Sequence, residues 1–106
     1  MPLFLTRGSY TAEGTKGLVK EGGSKRREAV RQALEKVGGK MHAFYYAFGS
    51  DDVYVITEFP DAVTAAAFSL AVNATGLVTV NATLLLTPEE VDAATKKTIA
   101  YRAPGA

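Results

Sequence analysis

The amino-acid sequence predicts one α+β domain whose elements follow the order βαββαβ, with a further helix at the C-terminus. Four short segments rich in β-branched, aromatic and alternating apolar residues are typical of strands and cover residues 2–9, 40–48, 53–58 and 77–86. The segments between them repeat apolar residues at helical spacing and end at glycine. This order is typical of the ferredoxin-like sandwich, in which helices cover one face of a sheet.

The first helical segment is predicted over residues 12–37, with an interruption. Ser9 or Thr11 can cap its start by accepting a hydrogen bond from an exposed backbone N–H. The run Gly22-Gly23-Ser24 places two residues of low helix propensity before a good N-cap, which predicts a kink or a short break. Gly38-Gly39 then ends the segment, since glycine adopts the left-handed conformation at a helix end without steric cost.

Turn and cap residues divide the second half of the chain. The run from Gly49 to Asp52 predicts a hairpin turn between the second and third strands. A helix with an alanine-rich stripe follows Pro60-Asp61 and ends at Gly76. After the last strand, Thr87-Pro88-Glu89-Glu90 is a capping box that predicts a short helix over 88–98. We therefore expect a single domain over 1–98 and a C-terminal tail over 99–106.

Composition excludes several classes of site and partner. The formal net charge of +1 gives no global field that would attract nucleic acid, so we expect no nucleic-acid partner. The chain has no cysteine and only one histidine, which excludes disulfides and thiolate metal sites, and we expect neither a metal nor a cofactor. The N-terminal residues indicate a strand rather than a signal peptide. No apolar run is long enough to span a bilayer. We therefore expect a cytoplasmic protein.

Both faces of the predicted sheet carry apolar side chains, although helices would cover only one of them. Alternation along the strands predicts one set facing one way and a second set facing the other. The first set is Leu3, Leu5, Met41, Ala43, Tyr45, Val53 and Val55, and the second is Phe4, Phe44, Tyr46, Phe48, Tyr54 and Ile56. A large exposed apolar face marks an interaction surface. We expect a second copy to pack against it about a two-fold axis, which would form a dimeric α/β barrel, or a higher homo-oligomer. The alternative is that the third helix and tail cover this face within one chain.

A set of short motifs, spread over nearly the whole chain, occurs together in one known family. The motifs are Leu5-Thr6, Tyr10-Thr11, Gly14, Gly17-Leu18, Arg27, Gly38-Gly39, Gly49 with Asp52, Glu58-x-Pro60-Asp61, and Leu86-Thr87 before Glu89-Glu90. In order and spacing the sequence resembles the GYD-domain proteins. The resemblance implies a small bacterial or archaeal protein of the dimeric α/β-barrel type, and it implies no particular reaction. The family turn usually has tyrosine before aspartate, where this chain has Asp51 before Asp52.

Six residues are candidates for binding a small molecule. Tyr10 and Thr11 lie where the first strand passes into a helix with glycines one turn apart, so a ligand could approach closely there; the alternative is a simple cap and tight packing. The other four lie on the central hairpin, where a cleft between sheet and helices could hold a small aromatic molecule; they are His42, Tyr46, Tyr54 and Glu58. By alternation His42, Phe44 and Tyr46 share one side. Tyr54, Ile56 and Glu58 also share one side.

These candidates leave three functions open. The first is a homo-oligomeric small-molecule-binding protein with a cavity lined by the hairpin tyrosines. The second is a cofactor-independent monooxygenase or isomerase, in which His42 or Glu58 would act as a base beside Tyr46 or Tyr54. This requires that the side of β2 that carries His42 and the side of β3 that carries Glu58 belong to the same face of the sheet. The third is a structural assembly module without a pocket. No catalytic residue is assigned from the sequence, because no nucleophile elbow, phosphate loop, dinucleotide fingerprint or zinc spacing occurs.

Overall fold

A computed structural model of the chain describes residues 1–106. The chain forms four strands and four helices, in an order that confirms the predicted α+β class. The elements are β1 (Leu3–Tyr10), α1 (Ala12–Glu21), α2 (Gly23–Lys36), β2 (Lys40–Tyr46), β3 (Val53–Glu58), α3 (Ala62–Ala74), β4 (Val78–Leu85) and α4 (Pro88–Thr95). None of the helices is long and apolar enough to cross a membrane.

The four strands form one antiparallel sheet in the order β2-β3-β1-β4. Strand β1 pairs with β3 on one side, where Leu5 lies opposite Ile56, and with β4 on the other, where Leu5 lies opposite Thr83. Strands linked through a helix run in the same direction but are not neighbours, so every neighbouring pair is antiparallel. This arrangement confirms the ferredoxin-like sandwich.

The predicted element boundaries are correct to within one to three residues, and the predicted break in the first helical segment is present. The break falls at Gly22, whose φ of 90° ends α1 and serves as the N-cap of α2. A residue with a side chain rarely adopts this backbone conformation, whereas glycine does so at little cost. Ser24 therefore lies inside α2 and is not the N-cap that the sequence predicts. Gly38, with φ of 79°, follows the end of α2 as expected.

The helices cover one face of the sheet and leave the other bare. The compact core on the covered face joins Phe4, Leu34, Phe59 and Ala65. Val53 and Val55 are buried on the same face, where their exposed fractions are 5% and 6%. The uncovered face is apolar along its centre; its side chains include Leu3, Leu5, Ala43, Tyr45, Tyr54 and Ile56.

This arrangement corrects the predicted assignment of side chains to faces. Met41, Val53 and Val55 lie on the covered face with Phe4, not with Leu3. Tyr54 and Ile56 lie on the uncovered face, because they alternate with the buried positions of β3. Both faces nevertheless carry apolar side chains, as the sequence predicts.

A β-bulge in β2 explains a second difference. The register shifts between Met41 and Ala43, so His42 is an extra residue with no partner in β3. A bulge of this kind puts two successive side chains on one face. His42 and Ala43 therefore both lie on the uncovered face, while Phe44 returns to the covered face. The prediction that His42, Phe44 and Tyr46 share one side was wrong for this reason.

The C-terminal segment does not cover the bare face. Residues 86–106 are all exposed, and α4 has no buried residue. The radius of gyration is 16.9 Å, against about 13 Å for a compact domain of similar length. The alternative in which α4 and the tail cover the sheet within one chain is therefore wrong.

Candidate functional site

A cavity of about 290 Å³ lies between the covered face of the sheet and helices α1, α2 and α3. Fourteen of the 22 residues that line it are hydrophobic. Its floor includes Val53 and Val55 of β3, and its roof includes Leu18 of α1, Val30 of α2 and Val72 of α3. A mostly apolar cavity with a few polar groups is the usual form of a small-molecule site, and this volume lies close to the lower limit of about 300 Å³ for such sites.

Hydroxyl groups make up most of the polar lining. The residues that carry them are Thr6, Tyr10, Thr57, Ser69 and Thr75. Only two charged residues line the cavity, Glu21 and Arg26, and they form an ion pair with a separation of 3.6 Å between Glu21 Oε2 and Arg26 Nη1. The lining therefore has no net charge.

Tyr10 lies at the end of the cavity nearest this ion pair. Burial raises the pKa of Tyr10 well above the usual value for a tyrosine, and the neighbouring Tyr46 raises it further, while the positive charge of Arg26 acts in the opposite direction. The phenol is consequently neutral at physiological pH. It can donate or accept a hydrogen bond, but it is not poised to act as a base.

Tyr46 lies beside this end of the cavity and is held against the start of α2. Its hydroxyl donates a hydrogen bond of 3.1 Å to the carbonyl oxygen of Gly23. Burial also raises the pKa of Tyr46. Its ring meets Phe44 edge-on and stacks on Phe48, with ring centroids 5.3 and 5.7 Å apart. Of the hairpin aromatics it is Phe44, rather than the tyrosines, that lines the cavity.

Thr57 is the most unusual polar group near the cavity. The residue is 3% exposed, and its hydroxyl oxygen has no hydrogen-bond partner. A buried hydroxyl without a partner costs about 1–3 kcal/mol relative to one that is paired. Thr57 is not among the six residues predicted from the sequence. The sequence does contain a signal for it, because Thr57 is the one polar residue at alternate positions 53, 55, 57 and 59, where the others are Val53, Val55 and Phe59.

Thr11 has a structural role at the entrance to α1. Its hydroxyl accepts a hydrogen bond from the Gly14 N–H and also lies 3.0 Å from the carbonyl oxygen of Gly76. Its backbone N–H donates to the carbonyl oxygen of Leu77. These bonds fix α1 against the start of β4. Thr11 is not among the residues that line the cavity.

The remaining three candidates lie on the uncovered face, across the sheet from the cavity. His42 Nε2 is 2.7 Å from Glu58 Oε1, so the two residues meet as a hydrogen-bonded pair. Tyr54 is on the same face, opposite Tyr45 in β2 and Arg7 in β1. The sheet separates all three from Tyr10 and Tyr46. The six candidates therefore divide between two faces and do not form one site.

The hairpin tip supports the strand that carries Tyr10. Asp52 Oδ2 accepts a hydrogen bond of 2.8 Å from the Tyr10 backbone N–H, and the Asp52 N–H donates to the carbonyl oxygen of Gly8. Asp51 is within 4.0 Å of Arg7 and 3.4 Å of the Ser9 hydroxyl. The two aspartates thus bind the end of β1. No group of three or more His, Asp or Glu side chains is placed to hold a metal ion.

Comparison with known proteins identifies the family. The family model described as the GYD domain matches residues 4–95, which is most of the chain. No curated protein and no solved structure matches it significantly. The match confirms the resemblance seen in the motifs, and it extends from the second residue of β1 to the end of α4. The chain belongs to the GYD-domain family.

Proposed function

We propose that this protein is a homo-oligomeric small-molecule-binding protein, whose ligand occupies the cavity between the sheet and the helices. The observation that carries the proposal is the cavity itself, about 290 Å³ in volume and lined mainly by apolar side chains. A structural assembly module would need no such space. Native interiors are close-packed and seldom keep voids much larger than a water molecule.

The site supports binding better than catalysis. The base expected for a monooxygenase or isomerase was His42 or Glu58, and both lie across the sheet from the cavity. Among the residues that line the cavity, the one carboxylate is Glu21, which pairs with Arg26. A general base must reach the proton that it abstracts.

The proposed self-association rests on the uncovered face. The chain exposes 7342 Å² of surface, whereas a compact monomer of this mass exposes about 5,700 Å². The excess is greater than the roughly 800 Å² that one partner buries in an interface of standard size. The bare sheet face and the exposed C-terminal segment both contribute to the exposed surface. A second copy that meets the apolar centre of the sheet would remove that face from water.

Filling the cavity tests the binding function. Ala33 lines the cavity from α2, and Ala33→Phe would place a ring in it. The expected result is loss of binding of a neutral polarity-sensitive dye, measured by fluorescence titration, while far-UV circular dichroism is unchanged. Val19→Phe is the matched control, since Val19 is 81% exposed on α1 and is not in the lining. Dye binding that survives Ala33→Phe would contradict the proposal.

A further inference from the structure

We infer that the ligand of this cavity is an uncharged, mainly apolar molecule that presents one hydrogen-bonding oxygen to Tyr10. The inference rests on the proposed function and adds the chemical class of the ligand. It depends on the balance of charge in the lining and on the position of the phenol.

The lining offers no unpaired charge to an ionic ligand. Arg26 is the one cation in it, and Glu21 already lies against its guanidinium group. A carboxylate or phosphate that entered the cavity would have to compete with Glu21 for Arg26. It would also lose its hydration, which is costly for an ion without a full set of partners. An ammonium ligand would likewise have to compete with Arg26 for Glu21, and it would also lose its hydration.

The hydroxyl groups suit a neutral polar ligand. A phenol donates to an alcohol, ketone or ester oxygen, and it accepts only from a ligand hydroxyl, so Tyr10 is suited to a neutral oxygen of any of these kinds. Most of the lining is apolar, and it includes Leu18 of α1, Leu77 just before β4, and Val78 at the start of β4. An apolar body therefore fills the volume, and the single oxygen orients it.

Matched pairs of small molecules test this class directly. The probes are 2-naphthol against 2-naphthoate, and 1-octanol against octanoate, each at neutral pH. Within a pair the apolar body is conserved and the charge changes. In each pair whose apolar body fits the cavity, we expect the neutral member to raise the thermal midpoint of the full chain in a thermal-shift assay. We also expect it to bind at least tenfold more tightly than its anion, as measured by calorimetry.

Two variants examine the role of Tyr10. Tyr10→Phe keeps the ring and removes the hydroxyl, so binding of the neutral probe should weaken about tenfold, as expected for one lost hydrogen bond. Tyr101→Phe is the matched control, because Tyr101 is 76% exposed in the C-terminal segment. It should leave the affinity unchanged.

The outcomes separate the inference from the proposed function. Tighter binding of the anions, lost in Arg26→Gln, would overturn the neutral-ligand inference and leave the binding function standing. Equal affinity of the wild type and Tyr10→Phe for the neutral probe would overturn the assigned contact with Tyr10. Failure of all four probes to stabilise the wild type would count against the proposed function itself.

Discussion

The backbone of Gly14 lies so close to Leu77 that a Cβ atom at residue 14 would come within 1.9 Å of the Leu77 carbonyl oxygen. This contact brings α1 against the start of β4 and closes one end of the cavity. A methyl group cannot be accommodated there unless the helix moves, because the neighbour is backbone and not a flexible side chain.

Substitution at two glycines of α1 should therefore have opposite effects. Gly14→Ala should lower the free energy of unfolding by about 1–3 kcal/mol or more, as overpacking does. Gly17→Ala should raise it by about 0.5–1 kcal/mol, because alanine loses less backbone entropy in a helix and nothing lies within 4 Å of its added Cβ atom. Urea denaturation of both variants gives the comparison. A Gly14→Ala protein as stable as the wild type would contradict the close packing of Gly14 against Leu77.

The unpartnered hydroxyl of Thr57 predicts an unusual gain in stability. Thr57→Val exchanges the hydroxyl for a methyl group of similar size, so the free energy of unfolding should rise by about 1 kcal/mol or more. Val55→Thr is the matched reverse change, two residues away on the same face and 6% exposed. It should destabilise the protein by about 1–3 kcal/mol. Denaturation that shows Thr57→Val to be less stable would indicate a partner for this hydroxyl.

A charge at the centre of the bare face should prevent self-association. Ile56 lies between Leu5 and Ala43 on that face, and Ile56→Lys would place an ammonium group where a second copy is proposed to pack. Desolvation of an unpaired charge costs several kcal/mol. Sedimentation should therefore give an oligomer for the wild type and a monomer for the variant. Val19→Lys, on an exposed part of α1, should keep the wild-type mass; a monomeric wild type would refute the pairing.

The raised pKa of Tyr10 predicts a loss of stability at alkaline pH. Above the ordinary tyrosine value of 10.0 the unfolded chain loses this proton, while the folded chain retains it. The protonated phenol thus stabilises the fold fully below about pH 10, and this stability is lost as the pH rises toward the raised value. Tyr10→Phe should show a smaller decline of thermal stability above pH 10 than the wild type. Tyr101→Phe, at an exposed position, should decline like the wild type.

Loss of the capping box should lower the stability of α4 alone. Thr87 Oγ1 accepts from the Glu90 N–H at 3.1 Å, and Glu90 Oε1 accepts from the Thr87 N–H at 2.9 Å. Loss of a cap costs about 1 kcal/mol of helix stability, so Thr87→Ala should accelerate amide exchange in α4 about fivefold. Amides of β1 should be unaffected, because α4 buries no residue. Thr95→Ala, in the same helix but outside the cap, should cause no such increase.

The sequence was sufficient for the fold because its signals are local. Glycine at 22 and 38, and the capping box at Thr87, depend on the conformation of a few consecutive residues and need no tertiary information. The apolar character of both sheet faces follows from composition along the strands. Even the wrong side assignments left that conclusion unchanged.

The candidate site was harder to predict because its members meet only through the fold. Glu21 and Arg26 come from two helices on either side of the break at Gly22, and their ion pair depends on the angle between them. The bulge at His42 gives no clear signal in an aromatic strand, and it decides which face each candidate occupies. Strict alternation therefore placed His42 with the wrong neighbours.

The same bulge bears on how the length of this strand can vary among related chains. Met41 and Ala43 face opposite ways across His42, as successive residues of a regular strand would. A chain that lacked a residue at position 42 would keep every other side chain of β2 on its present face, without inverting the strand. One-residue gaps at this point in the family should accordingly be tolerated by the fold, at the cost of the imidazole beside Glu58.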